Sequence, residues 1–316
     1  MRKTLLEKAF MEKLFLILIL AVIFVSGCVE GTALEQVFGK KQVEVPYYGL
    51  AETTNQDIVI RAEAVPTEVK ARRKMTIYFD LENPQLFDLE NFNLTVYDTC
   101  LFPQTNCNWD KEPTDTIEAN KTKRFKYTCE LPDIDFEQDC KIKFKVEYKA
   151  KFMLSQAIAV LQQTEYYTKQ QQGTLGQIAI SSSSTSNPLQ ISLSFSDEQP
   201  FLEGEKYHMY IDYANIGNGF LEEGKVNKED ITIGVPKNLE PITVDGKVCS
   251  EVYIWNENDR KLVLDRELKF IRNKAPKSTC SFTVEAGQPI DLKSLTLTAT
   301  YKYMLDNSII VKVSPR

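Results

Sequence analysis

One design is written twice in this chain, and that repetition limits what the chain can fold into. Residues 57–83 align without a gap on residues 189–215, matching Lys74 with Lys206, Tyr78 with Tyr210, Asp80 with Asp212 and Asn83 with Asn215. Farther on, Tyr127-Thr128-Cys129 matches Ser278-Thr279-Cys280. Each copy then runs through an alternating segment to a Tyr-Lys pair, Tyr148-Lys149 in one and Tyr301-Lys302 in the other. The order of features is the same and only loop lengths differ, as duplication of one domain produces.

The alternation has a period of two. Ile142, Phe144, Val146 and Tyr148 are separated by charged residues, and Ile191, Leu193 and Phe195 by serines. Met209, Ile211 and Tyr213 flank Tyr210 and Asp212, and Leu295, Leu297 and Ala299 flank threonines. Successive strand side chains point to opposite faces, so each run places its apolar members on one side. The threonines suit a pleated surface. The pattern predicts an all-β chain with two tandem immunoglobulin-like β-sandwich domains, residues 57–168 and 189–316. Turns are expected at Asn256-Glu257-Asn258-Asp259 and at Asp306-Asn307-Ser308, the second closing a hairpin between residues 301–305 and 309–313.

Between the copies lie Gln170-Gln171-Gln172-Gly173 and a serine tract over residues 181–186. Such a stretch has too little apolar surface to bury, so residues 169–188 read as a flexible linker. Residues 157–167 read as the last strand of the first domain by repeat position, although their Ala, Leu and Gln content also suits a helix.

Ahead of the repeats, a charged start leads into apolar residues 14–25 and then Ser26-Gly27-Cys28. A bilayer span needs about 20 apolar residues, and this run is shorter. Residues 1–27 therefore read as a secretory signal. The junction resembles a prokaryotic lipobox, which implies lipidation of Cys28, removal of the signal, and anchoring of the chain to the outer face of the cell membrane. Residues 28–56 read as a tether.

Beyond Cys28 come Cys100, Cys107, Cys129, Cys140, Cys249 and Cys280, an even number that points to disulfides in an exported chain. Zinc prefers closely spaced Cys and His ligands, yet there is no C-x-x-C pair and His208 is the one histidine. The repeat suggests Cys249–Cys280, with Cys100–Cys129 as its counterpart and Cys107–Cys140 left over. The swap, Cys107–Cys129 with Cys100–Cys140, stays open, since bridge geometry is not written in sequence.

Candidate chemistry is sparse. The net charge is −6 and basic residues are scattered, which argues against nucleic acid as a partner. His208 falls on the polar side of its strand and reads as a surface residue; no catalytic set and no cofactor are expected. The metal candidate is the acidic loop with Asp133, Asp135, Glu137 and Asp139, but it lacks the spacing and glycine of a calcium loop and reads as solvated. Asn93 and Asn120 each begin an N-x-[ST] glycan acceptor, with Asn120 in the more accessible, polar setting. Tyr47-Tyr48 and Tyr166-Tyr167 are candidates for a binding face, against the commoner use of tyrosine in cores.

The segment Tyr210-Ile211-Asp212-Tyr213-Ala214-Asn215-Ile216-Gly217-Asn218-Gly219 resembles the strand and N-x-G-x-G turn of immunoglobulin-like domains in prokaryotic, especially archaeal, cell-surface proteins. The CARDB-type and S-layer-associated modules are the relevant group, and Thr300-Tyr301-Lys302-Tyr303 is similar to their penultimate strand. The first copy departs from the pattern at Asn83-Pro84, which has no glycines. The resemblance implies a non-catalytic adhesion, scaffold or envelope-assembly module. Its partners would be the membrane, through the lipid, and another surface protein or envelope polymer. The alternative expectation is an accessory lipoprotein that captures a ligand or protein for a membrane complex.

Overall fold

A computed structural model of the chain describes residues 50–52, 58–243 and 247–316. Cys28, the expected signal over residues 1–27 and Tyr47-Tyr48 lie outside the described residues. The first copy supplies β1 (Leu50–Glu52), β2 (Val59–Val65), β3 (Lys74–Asn83), β4 (Leu89–Asp98), β5 (Cys107–Trp109), β6 (Lys121–Glu130) and β7 (Gln138–Leu161). A helix α1 (Gln163–Gln172) follows. The second copy supplies β8 (Leu189–Phe195), β9 (Lys206–Asn215), β10 (Ile231–Gly234), β11 (Leu239–Pro241), β12 (Tyr253–Asn256), β13 (Lys261–Leu264), β14 (Ser278–Val284) and β15 (Ile290–Ser314).

These strands form an all-β sandwich, and its layers repeat the duplication. One outer sheet has the order β1-β2-β3-β6-β5, the other β8-β9-β14-β11. The facing sheet is common to both copies and runs β12-β13-β10-β15-β7-β4 through its centre. The predicted alternation is the observed burial pattern: Ile142, Phe144, Val146 and Tyr148 on β7, and Leu295, Leu297, Ala299 and Tyr301 on β15, all face the core. The apolar side chains of both copies merge into one buried cluster.

β7 and β15 join the copies. They pair antiparallel along almost their whole lengths, from Gln138 opposite Val313 to Leu161 opposite Ile290. Each long strand also finishes against the other copy. Val160 and Leu161 pair in parallel with Phe201 and Leu202, while Lys312, Val313 and Ser314 pair in parallel with Glu68, Val69 and Lys70.

The structure changes three expectations. The hairpin at Asp306-Asn307-Ser308 is absent, and β15 runs straight through it. Ile309 and Val311 are buried opposite Ile142 and Cys140 of the first copy, so continuing the strand fills that core where a turn would empty it. Residues 157–167 divide: the strand lasts to Leu161 because Ile158, Val160 and Leu161 are buried, and α1, with no buried residue, takes over from Gln163. Nor is the stretch 169–188 a free linker. Part of it is α1, closed by Gly173 at φ 67°, and Ser182–Ser184 pair with Leu154, Ser155 and Gln156 at the edge of β7. The turn expected at 256–259 is present, joining β12 to β13.

Three disulfides staple the fold. Cys249–Cys280 is the pair suggested by the repeat. In the first copy the structure makes Cys107–Cys129 and Cys100–Cys140, the swap, in place of Cys100–Cys129 and Cys107–Cys140. The reason is register: Cys107 on β5 lies directly opposite Cys129 on β6. Cys100, just past β4, is left beside Cys140 near the start of β7.

Candidate interaction surface

The antiparallel register brings the two Tyr-Lys endings together. Lys149 lies opposite Lys302, Tyr148 opposite Tyr303, and Ala150 opposite Tyr301. Lys149 and Lys302 are matched positions of the repeat, so their pairing places a pseudo-two-fold axis between them. Tyr148 and Tyr303 point into the core with ring centroids 5.8 Å apart. Lys149 and Lys302 point to the other face of the shared sheet, as strand geometry requires.

Two turns flank this point, one after Asn83 and one after Asn215. The first borders a cleft of about 550 Å³ whose walls include Leu86, Phe87, Asp88 and Glu90 and whose floor includes Lys149 and Lys151. The second cleft, about 350 Å³, lies among Asn93, Glu147, Lys149, Glu222, Lys302 and Met304. Lys149 borders both.

Like charges directly opposite on a sheet repel, and each copy supplies its own acid against this. Glu90 lies 3.7 Å from the Lys149 ammonium, and Glu222 lies 3.0 Å from that of Lys302. The hydrogen bond with Glu222 pushes the Lys302 pKa up. Lys145 meets Glu147 at 3.0 Å, and the Lys151 ammonium sits 5.3 Å from the Phe87 ring centre. The result is an open face of alternating charge, with apolar Leu86 exposed at its rim. That chemistry suits a polar, extended partner.

The sequence-predicted sites fall elsewhere or at the margin. Asn93 is half-buried within β4 and borders the smaller cleft. Asn120 is exposed in a turn with φ 55°. The acidic loop does not converge: Asp133 pairs with Arg72, whose hydrogen bond lowers the Asp133 pKa, and Glu137 pairs with Lys312 at 2.7 Å. Among the described residues no three His, Cys, Asp or Glu side chains are grouped to hold a metal ion. His208 is half-buried, with Nδ1 2.9 Å from the Ser281 hydroxyl on the neighbouring strand. Tyr166 and Tyr167 sit on α1, Tyr167 exposed, and neither lines the two clefts.

Neither the Glu90–Lys149 nor the Glu222–Lys302 pairing is marked in the sequence. The available signal was the matched Tyr-Lys pairs, which mark the axis once the two strands are known to run against each other. No helix among the described residues is long and apolar enough to cross a membrane.

No family model matches the chain, and no curated protein does. The collagen adhesin of S. aureus is a structural neighbour at 9% identity and a TM-score of 0.21, the match covering 84% of this chain and 95% of that one. The Mu homology domain of Fcho1 from Danio rerio, with bound Eps15 peptide, is another, at 12% identity and 0.22, covering 85% and 95%. The secreted serine protease VesC of Vibrio cholerae matches at 10% identity and 0.20 over 81% of this chain, which spans about 50% of the length of that protein. Likeness at this level decides nothing about function.

Proposed function

We propose that this chain is a non-catalytic lipoprotein, held by Cys28 to the outer face of the cell membrane. Its fused sandwich body serves as an adhesion, scaffold or envelope-assembly module of the kind built from CARDB-type domains. The observation that carries the reading is the three-disulfide body: bridges of this density belong to oxidising, extracytoplasmic settings. The lipobox-like junction at Cys28 supplies the anchor, and the charged face around Lys149 and Lys302 supplies the contact surface for a surface protein or envelope polymer. Mass spectrometry of the protein from native membranes tests the anchor, with an N-terminal lipidated Cys28 expected. An intact residue 1–27 segment with an unmodified thiol would defeat the reading. Cross-linking on intact cells followed by capture should yield an envelope component, and its loss on Lys149→Glu with Lys302→Glu would tie the contact to this face.

The second reading, an accessory lipoprotein that captures a ligand for a membrane complex, gains from the two clefts that meet at Lys149. A stoichiometric small molecule retained by purified protein, and released by the same substitutions, would favour it.

A further inference from the structure

The two outer sheets differ at one edge. In the first copy β2 is covered by β1, which pairs Leu50, Ala51 and Glu52 with Glu63, Ala62 and Arg61. In the second copy β8 holds the corresponding place beside β9, and among the described residues no strand pairs with its outer side. The flanking backbone bonds, Ser196 N–H to the His208 carbonyl at 2.9 Å and Ile216 N–H to the Pro188 carbonyl at 2.7 Å, turn the even-numbered backbone groups toward β9. Ile191, Leu193 and Phe195 therefore direct their N–H and C=O groups outward. The outward N–H of Leu189 reaches the Tyr301 hydroxyl at 3.4 Å.

Natural sheet edges are usually blunted by lysine, proline or a bulge. β2 carries Arg61 and Glu63, but β8 has no charge, no proline and no register shift. Its sequence is also close to a palindrome about Ser192. Laid antiparallel on itself, Leu189-Gln190-Ile191-Ser192-Leu193-Ser194-Phe195 sets Ile191 against Leu193, Gln190 against Ser194, and Leu189 against Phe195. Every apolar residue meets an apolar one and every polar residue a polar one.

We propose that β8 pairs with β8 of a second copy of this chain, antiparallel about a two-fold axis at Ser192, joining two outer sheets into one. The outward groups of Ile191 and Leu193 form the hydrogen-bonded pair. Ser192 faces Ser192 of the second copy as a non-hydrogen-bonded pair, where Cα atoms lie about 4.5 Å apart. The inference is independent of the lipid anchor.

Full-length protein carrying S192C should form a disulfide-linked dimer under mild oxidation, wherever the chain resides, because that spacing falls in the disulfide range. S194C, facing Gln190 of a second copy, should not cross-link to itself. In detergent, sedimentation of S192K and of S192E should show dimer dissociation constants about fivefold or more above wild type, since like charges then meet at the axis. Mixing the two variants should restore the dimer. Wild-type protein that stays monomeric at all concentrations would overturn the proposal, as would a dimer indifferent to S192K and S192E or equal cross-linking at S194C.

Discussion

Asn83 and Asn215 make the same hydrogen bonds at the same step of the fold. The Oδ1 of each accepts from the backbone two residues on, Gln85 N–H at 3.0 Å and Gly217 N–H at 3.2 Å. The Nδ2 of each donates to the carbonyl four residues on, Phe87 at 2.9 Å and Gly219 at 2.8 Å. Both side chains are buried, and both hold the turn that leaves the outer sheet. Asn83 also donates to the Ile117 carbonyl at 3.1 Å, whereas Asn215 accepts from the Tyr303 hydroxyl at 3.0 Å. Replacing either asparagine by alanine strands buried backbone groups, at about 1–3 kcal/mol each. Thermal unfolding of Asn83→Ala and Asn215→Ala should show losses of similar size, the direct reading of their equivalence.

At the fourth residue of the turn the copies differ, Phe87 in one and Gly219 in the other. A Cβ on Gly219 would lie 2.8 Å from both the Leu305 Cδ2 and the Tyr303 Cε1, and closer still to the Met304 carbonyl. Gly219→Ala should destabilise the protein by about 1–3 kcal/mol through overpacking. Phe87→Ala, at the partly solvated cleft, should cost less in the same denaturant titration.

The exchanged strand ends make the copies interdependent. Deleting residues 308–316 removes Ile309, Val311 and Val313 from the core of the first copy. At about 1.5–3 kcal/mol for each buried aliphatic side chain, the loss is about 5–9 kcal/mol, comparable to the whole stability of a typical domain. The truncated chain should lose its cooperative melt by circular dichroism. The separate fragments 57–168 and 189–316 should each fail to fold as monomers.

The bridges give a mapping prediction. Non-reducing peptide maps should contain Cys100–Cys140, Cys107–Cys129 and Cys249–Cys280 linked peptides. Replacing both members of Cys249–Cys280 by serine should cost about 2–4 kcal/mol in denaturant unfolding.

Alkaline sensitivity should centre on a buried tyrosine pair. The Tyr213 and Tyr253 hydroxyls lie 2.7 Å apart, and Tyr213 donates to Ser278 at 3.2 Å. Burial pushes the Tyr213 pKa up to about 12 and that of Tyr253 well above its usual value. Because the folded pKa values are raised, the unfolded chain releases these protons first. Their contribution to stability is complete below about pH 10 and is lost as pH rises toward 12. Melting temperature measured from pH 8 to 12 should fall over that window, and Tyr253→Phe should flatten the fall.

Much of the fold was legible because alternation is a local signal. Lys143, Lys145 and Glu147 between buried neighbours mark one strand with one wet face, whatever it pairs with. Cys129 and Cys280 were matched by the repeat for the same reason. The first-copy bridge partner was not legible, since Cys100 and Cys107 are both close enough in sequence to reach Cys129, and only the register of β5 on β6 selects Cys107. Local propensity also misled at Asp306-Asn307-Ser308, whose turn-forming residues lie inside an extended strand.

The residues alone determined that this chain is duplicated, β-rich and cross-linked, because side-chain period, repeat spacing and cysteine number are properties of short segments. The pairing of Lys149 with Lys302, the crossing of each long strand into the opposite copy, and the open edge of β8 were decided by tertiary structure. Each depends on which distant strand completes a hydrogen-bond ladder and fills a core, and that competition is between segments more than a hundred residues apart.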